Sequence, residues 1–256
     1  MKTIKQFFKI NSLLAWFGLA NLVAALFLLL LAQADDRLLH GISVWIKPAK
    51  FHLTVVFYVW TMVVLLQYLP NPKHISTITK YIMLCMTVEV ALIDMQAARG
   101  VASHFNQTSI PDALVYSTMG IFIMLNTFVA MYAARLFFKE PVQLSATLLW
   151  GIRLGLIIFV IGSLEGGVMS AVNHHSVGTT DDATGIFFLN WNKEGGDLRI
   201  AHFLGIHALQ VIPLFAWLLE KYLRKDSVKT VIAFSVLYAA LFTGLLVHAL
   251  MGRPLF

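Results

Sequence analysis

Charge is what this sequence most lacks. Only 12% of its 256 residues are Asp, Glu, Lys or Arg, while 59% are hydrophobic. A soluble domain carries about 25% charged and 45–50% apolar residues, so a solvated globular surface cannot be built from this composition. Cysteine is nearly absent as well. The single Cys85 lies in an apolar run, which excludes an intrachain disulfide and any Cys-based metal motif. There is no glycine-rich nucleotide loop, no Ser-His-Asp hydrolase elbow, no low-complexity stretch and no repeat that aligns among the apolar runs. No basic stripe of the kind that binds nucleic acid is present either, and the net charge of +6 is what basic cytoplasmic loops give a membrane protein.

What the chain does have is long apolar runs. A hydrocarbon core of about 30 Å takes roughly 20 apolar residues per helical span. Backbone hydrogen bonding restricts spanning structures to helices or closed barrels, and runs of this length select helices. The expectation is an all-α polytopic membrane protein with seven transmembrane helices and one membrane-embedded domain over residues 1–256. The spans are expected at about 13–32, 51–69, 81–98, 112–134, 146–169, 197–219 and 231–251. The first run ends in Ala32-Gln-Ala34, which resembles a signal-peptidase site, but its apolar core exceeds the 7–15 residues usual for a cleaved signal. It reads as an uncleaved helix. Pro70-Asn71-Pro72 stops the second span, Ser109-Ile-Pro-Asp112 caps the fourth, and Pro213 interrupts the sixth. The longest loop, 170–196, contains Phe187-Phe188-Leu-Asn-Trp191, whose aromatic character suits a lid at the membrane interface.

Seven spans put the termini on opposite sides. With the N-terminus inside, 11 of the 19 Lys and Arg are cytoplasmic, among them Lys2, Arg224 and Lys225. The positive-inside rule therefore favours a cytoplasmic N-terminus and an outer C-terminus in a bacterial-type inner (plasma) membrane. On that orientation every histidine except His74 falls in outer loops or outer half-helices.

Polar groups within lipid-buried helices are costly and mark pathways or sites. The sixth span carries Arg199, His202, His207 and Gln210, which at 100° per residue share an arc of about 140° over about 16 Å. That arc is expected to face the bundle interior. His52, His202, His207 and His248 come from three spans and are candidate haem or metal ligands, since neutral imidazole suits haem iron, Zn, Cu and non-haem Fe. His202 and His207 stand about 140° apart, which is wrong for two ligands to one metal. No His-x3-His or Glu-x-x-His signature strengthens the case. Lys50, Arg99 and Arg199 sit at outer membrane boundaries, where they would hold carboxylates or phosphates.

Glu165, in the small-residue run Gly162–Gly167, and Asp94 are candidate acid–base groups with Arg199. Deeper Glu89 reads as a neutral hydrogen-bonding group or a proton relay. The first functional expectation is a haem- or metal-dependent membrane oxidoreductase, or a related enzyme, with an outward-facing His/Arg/acid pocket. The alternative is a cofactor-free transporter or binding protein for a small anion or lipid head group. The lack of an inward polar half tells against alternating access.

Overall fold

The computed structural model describes residues 4–182, 185–186, 188–223 and 226–256, without the side chain of Leu223. Lys2, Phe187, Arg224 and Lys225, named above, lie outside these residues. Among the described residues a short helix, α1 (Ile4–Ile10), precedes seven helices long and apolar enough to cross a membrane. They are α2 (Ser12–Ala34), α3 (Ile46–Leu66), α4 (Pro72–Ala98), α5 (Ile110–Lys139), α6 (Ala146–Val172), α7 (Leu198–Leu223) and α8 (Val228–Leu250). This is the architecture of a multi-pass membrane protein.

Two helices, α3 and α4, begin earlier than the apolar periodicity indicates, because a helix's first turn can hold proline and polar residues that hydropathy does not count. α3 starts at Ile46 and takes in Lys47 and Pro48, since a proline in the first turn removes no helical hydrogen bond. Asn71 caps α4, its side-chain oxygen accepting from the Lys73 N–H at 2.9 Å, with Pro72 as the first helical residue. The Pro-Asn-Pro stretch therefore ends one helix and starts the next. α7 runs unbroken through Pro213. The ring is accommodated by Gly155 of α6, where a Cβ would stand 3.0 Å from Pro213 Cδ.

Two short ladders close the loops. β1 (Leu38–Leu39) pairs antiparallel with β2 (Ile42–Ser43) across His40 and Gly41, whose φ values of 51° and 76° fit a primed hairpin turn. β3 (Ser176–Val177) pairs antiparallel with β4 (Gly196–Asp197) and ties together the two ends of the longest loop.

The chain forms two compact units, Met1–Val129 and Ala130–Phe256. In the first, α2 packs on α3 at Gly18, where a Cβ would meet Trp60 Nε1 at 2.2 Å; that indole donates to the Ala15 carbonyl at 3.2 Å. In the second, α6 packs on α7 through Gly162 and Gly205, each within 2.7 Å of where the other's Cβ would be. Small residues at such crossings let backbones touch, which is how membrane helices gain packing energy without a hydrophobic drive.

Candidate functional site

Both units use the same local device. Three residues beyond the glycine at which two helices touch, the first helix presents a polar side chain. The second helix answers with a histidine from its second turn. In the first unit these are Gly18, Asn21 and His52, and in the second Gly162, Glu165 and His202.

Asn21 is buried, and its Nδ2 donates to the Phe17 carbonyl at 2.8 Å. That bond turns Asn21 Oδ1 toward His52 Nδ1, 2.8 Å away. The other ring nitrogen, Nε2, lies 3.1 Å from Asp94 Oδ2 on α4. The imidazole is therefore held between two acceptors. A neutral ring has one N–H, and the Asn21 bond uses it. One further proton must lie between His52 Nε2 and Asp94 Oδ2, on the ring or on the carboxyl. Asp94 Oδ1 is buried with no donor among the described residues.

Polar groups continue deeper in this unit. Glu89 lies about 7.5 Å below Asp94 along α4, is buried, and has no donor for Oε1 among the described residues. Tyr58 donates to Asn126 Oδ1 at 3.1 Å, both residues being buried. Toward the other end of α4, Asn11 Nδ2 donates to Thr79 Oγ1 at 2.6 Å. From Asp94 to Thr79 the ladder covers about 22 Å of helix. Sequence reasoning passed over Asn21, Tyr58 and Asn126, although a lone amide within an apolar run is a usable signal.

The loop end of the first unit holds its cations on its own acids. Arg37 grips Asp35 through Nε and Nη2, Trp45 Nε1 donates to the same carboxylate at 2.7 Å, and Arg37 Nη1 reaches the Ala98 carbonyl at 2.8 Å. These bonds hold the Asp35 carboxyl well below the usual range. Arg99, a sequence candidate for anion binding, donates to Asp112 at 2.8 Å, and Gln96 shares that oxygen at 3.0 Å, so α4 is tied to the start of α5. Lys50 stands half-buried near the start of α3.

In the second unit His202 Nδ1 donates to the Gly162 carbonyl at 2.9 Å, and its ring lies against Gly166. Glu165 Oε2 is 3.2 Å from the same nitrogen but off the N–H direction, so it too is buried without a donor among the described residues. His207 Nδ1 donates to the Phe203 carbonyl of its own helix at 2.7 Å, with the two rings 4.0 Å apart. His248 Nε2 bonds the Pro254 carbonyl at 3.1 Å.

Arg199 is bound to Asp197 through its backbone N–H, Nε and Nη2, and Nη2 also donates to the Asn190 carbonyl. Burial pushes the Asp197 carboxyl up. The bonds and charge of Arg199, the Asn192 N–H and nearby His175 together outweigh it, and the net shift is downward. A depressed native value means stability that is present above the unfolded value of about 3.9 and lost as pH falls through the native one. Trp191, whose ring contacts Phe203 and Phe256, reports on this loop. Its fluorescence, taken as the difference from Trp191→Phe, is expected to stay constant from pH 7 to about pH 4 and to change only below. A transition between pH 5 and 6 would contradict this.

Among the described residues no group of three or more His, Cys, Asp or Glu side chains could hold a metal ion. The chain matches no protein-family model, no curated protein and no solved structure.

Proposed function

We propose that the protein binds a small anion or an anionic lipid head group at the outer face and moves it in step with a proton. The observation that carries this reading is His52, whose two ring nitrogens face Asn21 Oδ1 and Asp94 Oδ2, so that the pair needs one proton beyond the neutral ring's own. His/acid pairs within spans are the usual parts of membrane proton relays. The polar levels at Glu89, Tyr58–Asn126 and Asn11–Thr79 supply an inward polar half that hydropathy does not reveal. In this reading Lys50 supplies positive charge at the same end of α3 as His52, and Glu165 with His202 is the corresponding pair of the second unit. Arg99 and Arg199, held on Asp112 and Asp197, brace the loop ends.

A second reading draws on His202 and His207. Each gives Nδ1–H to a backbone carbonyl, while Nε2 has no protein partner among the described residues. Metal-ligating histidines are oriented in that way, and a haem at His207 would fit a membrane oxidoreductase.

Purified protein separates the two. The first reading expects no Soret band and no stoichiometric metal. It also expects thermal stabilisation by glycerol 3-phosphate, lactate or inorganic phosphate that strengthens as pH falls, by up to about tenfold in affinity per pH unit for one coupled proton, and that is lost in Asp94→Asn. A Soret band abolished by His207→Ala would overturn it.

A further inference from the structure

Arg153 belongs to neither His/acid pair, and its surroundings are unusual for a charge within a span. It lies on α6 about 12 Å along the helix from the cap residue Ser145. α5 ends at Lys139 and Pro141 follows. The Phe137 carbonyl would ordinarily accept the N–H of residue 141, and proline has none. Arg153 Nε takes that place, donating to the Phe137 carbonyl at 2.9 Å. The guanidinium is also fixed by two aromatic rings, with its carbon 4.7 Å from the centroid of Phe138 and 5.4 Å from that of Trp150. Nη1 and Nη2 have no acceptor among the described residues, and no carboxylate pairs with this charge.

A guanidinium fixed through Nε and its faces presents two Nη groups as a fork, and a fork suits a tetrahedral oxyanion. The level in the membrane fits as well. Ser145 at the start of α6 bonds Glu220 of α7 and Gly151 packs on Ala216, so Arg153 roots inward of the α7 end where Lys221 lies over Trp217 and Tyr222 at 4.2 and 5.0 Å, and its side chain turns to Trp150 and to Phe138 near the end of α5. Phe138, Trp217 and Tyr222 are 41%, 40% and 65% exposed. Exposed aromatics with snorkelling cations mark the interface where phospholipid phosphates lie. With the N-terminus inside, this is the cytoplasmic leaflet, which carries the anionic lipids.

We propose that Arg153, clamped by Phe137, Phe138 and Trp150, is a binding site for the phosphate of an anionic phospholipid. The Nη fork takes two phosphate oxygens, and Lys221, further out along α7, adds charge at the same membrane face without direct contact. The site is separate from the His/acid pairs, so it stands or falls independently of the transport reading.

The test is native mass spectrometry of the full chain released from nanodiscs of equal phosphatidylglycerol and phosphatidylcholine. Wild type is expected to retain phosphatidylglycerol preferentially. Arg153→Gln should lower its retention about tenfold, the equivalent of one lost charge-assisted contact, while Arg153→Lys keeps the charge but not the fork and falls between. Lys221→Gln should lower it less than about twofold. Far-UV circular dichroism and melting of each variant establish that it is folded, and Arg153→Lys carries the comparison if Arg153→Gln is not. Equal retention of both lipids by wild type, an unchanged preference in the Arg153 variants, or an equal loss in Lys221→Gln would overturn the proposal. Full displacement of the lipid by millimolar inorganic phosphate would also overturn it, by showing a site for a soluble anion.

Discussion

Gly162→Leu is expected to break the α6–α7 pair, with a loss of about 3 kcal/mol or more, the upper range for overpacking a tight contact. The reason is what lies opposite. A Cβ at Gly162 would stand 2.6 Å from the carbonyl carbon of Gly205 and 2.7 Å from its Cα. Those are backbone atoms, which cannot rotate aside as a flexible side chain can. The helices would have to separate, and with them Gly162 O, Glu165 and His202, which share this crossing. Gly120 is the control, because a Cβ there meets nothing within 4 Å. Gly120→Ala should be neutral or slightly stabilising, since alanine is the better helix former by up to about 1 kcal/mol. Melting of the detergent-solubilised variants, followed by circular dichroism, checks both. Equal melting temperatures for Gly162→Leu and wild type would show that the crossing is looser than described.

Much of this fold could be read from the sequence, and much of the site could not. The apolar runs located all seven spans because length and composition are all that a bilayer asks of a helix. Their starts were missed at Ile46 and Pro72. There the first turns contain lysine and proline, which lower the local hydropathy without interrupting the helix, and at Pro72 the Asn71 cap sets the boundary. The 140° arc of α7 grouped His202 with His207, yet the two rings find different acceptors, the Gly162 carbonyl of α6 and the Phe203 carbonyl of α7 itself. Angular position says which face a side chain starts from and nothing of which acceptor it finds. The repeated glycine, polar residue and histidine device escaped notice because its middle member is Asn21 in one unit and Glu165 in the other, and the connecting loops differ in length. Arg99 and Arg199 illustrate the limit in another way. Both are at helix ends as expected, and each has a carboxylate within 2.8 Å, Asp112 and Asp197. In the sequence Asp112 stands only as part of the cap of the fourth span.

The proton at His52 is the centre of the functional reading, and Asp94→Asn isolates it. An amide at position 94 can turn its NH2 toward His52 Nε2 and satisfy the ring permanently, with no exchangeable proton required. The substitution should therefore leave the fold intact, with a melting temperature close to wild type, while removing the proton-carrying step. His52→Leu would test the same step less cleanly, because it leaves Asn21 Oδ1 and Asp94 Oδ2 without their buried partner and is destabilising in its own right. The most direct measurement is proton flux into proteoliposomes containing a pH-sensitive dye, under an imposed pH gradient and with lactate, glycerol 3-phosphate or inorganic phosphate supplied outside. Wild type is expected to acidify the lumen faster when a transported anion is present, and folded Asp94→Asn to fall to the rate of empty liposomes. Anion-stimulated flux in Asp94→Asn equal to that of wild type, or no flux in wild type with any of the three anions, would contradict the account.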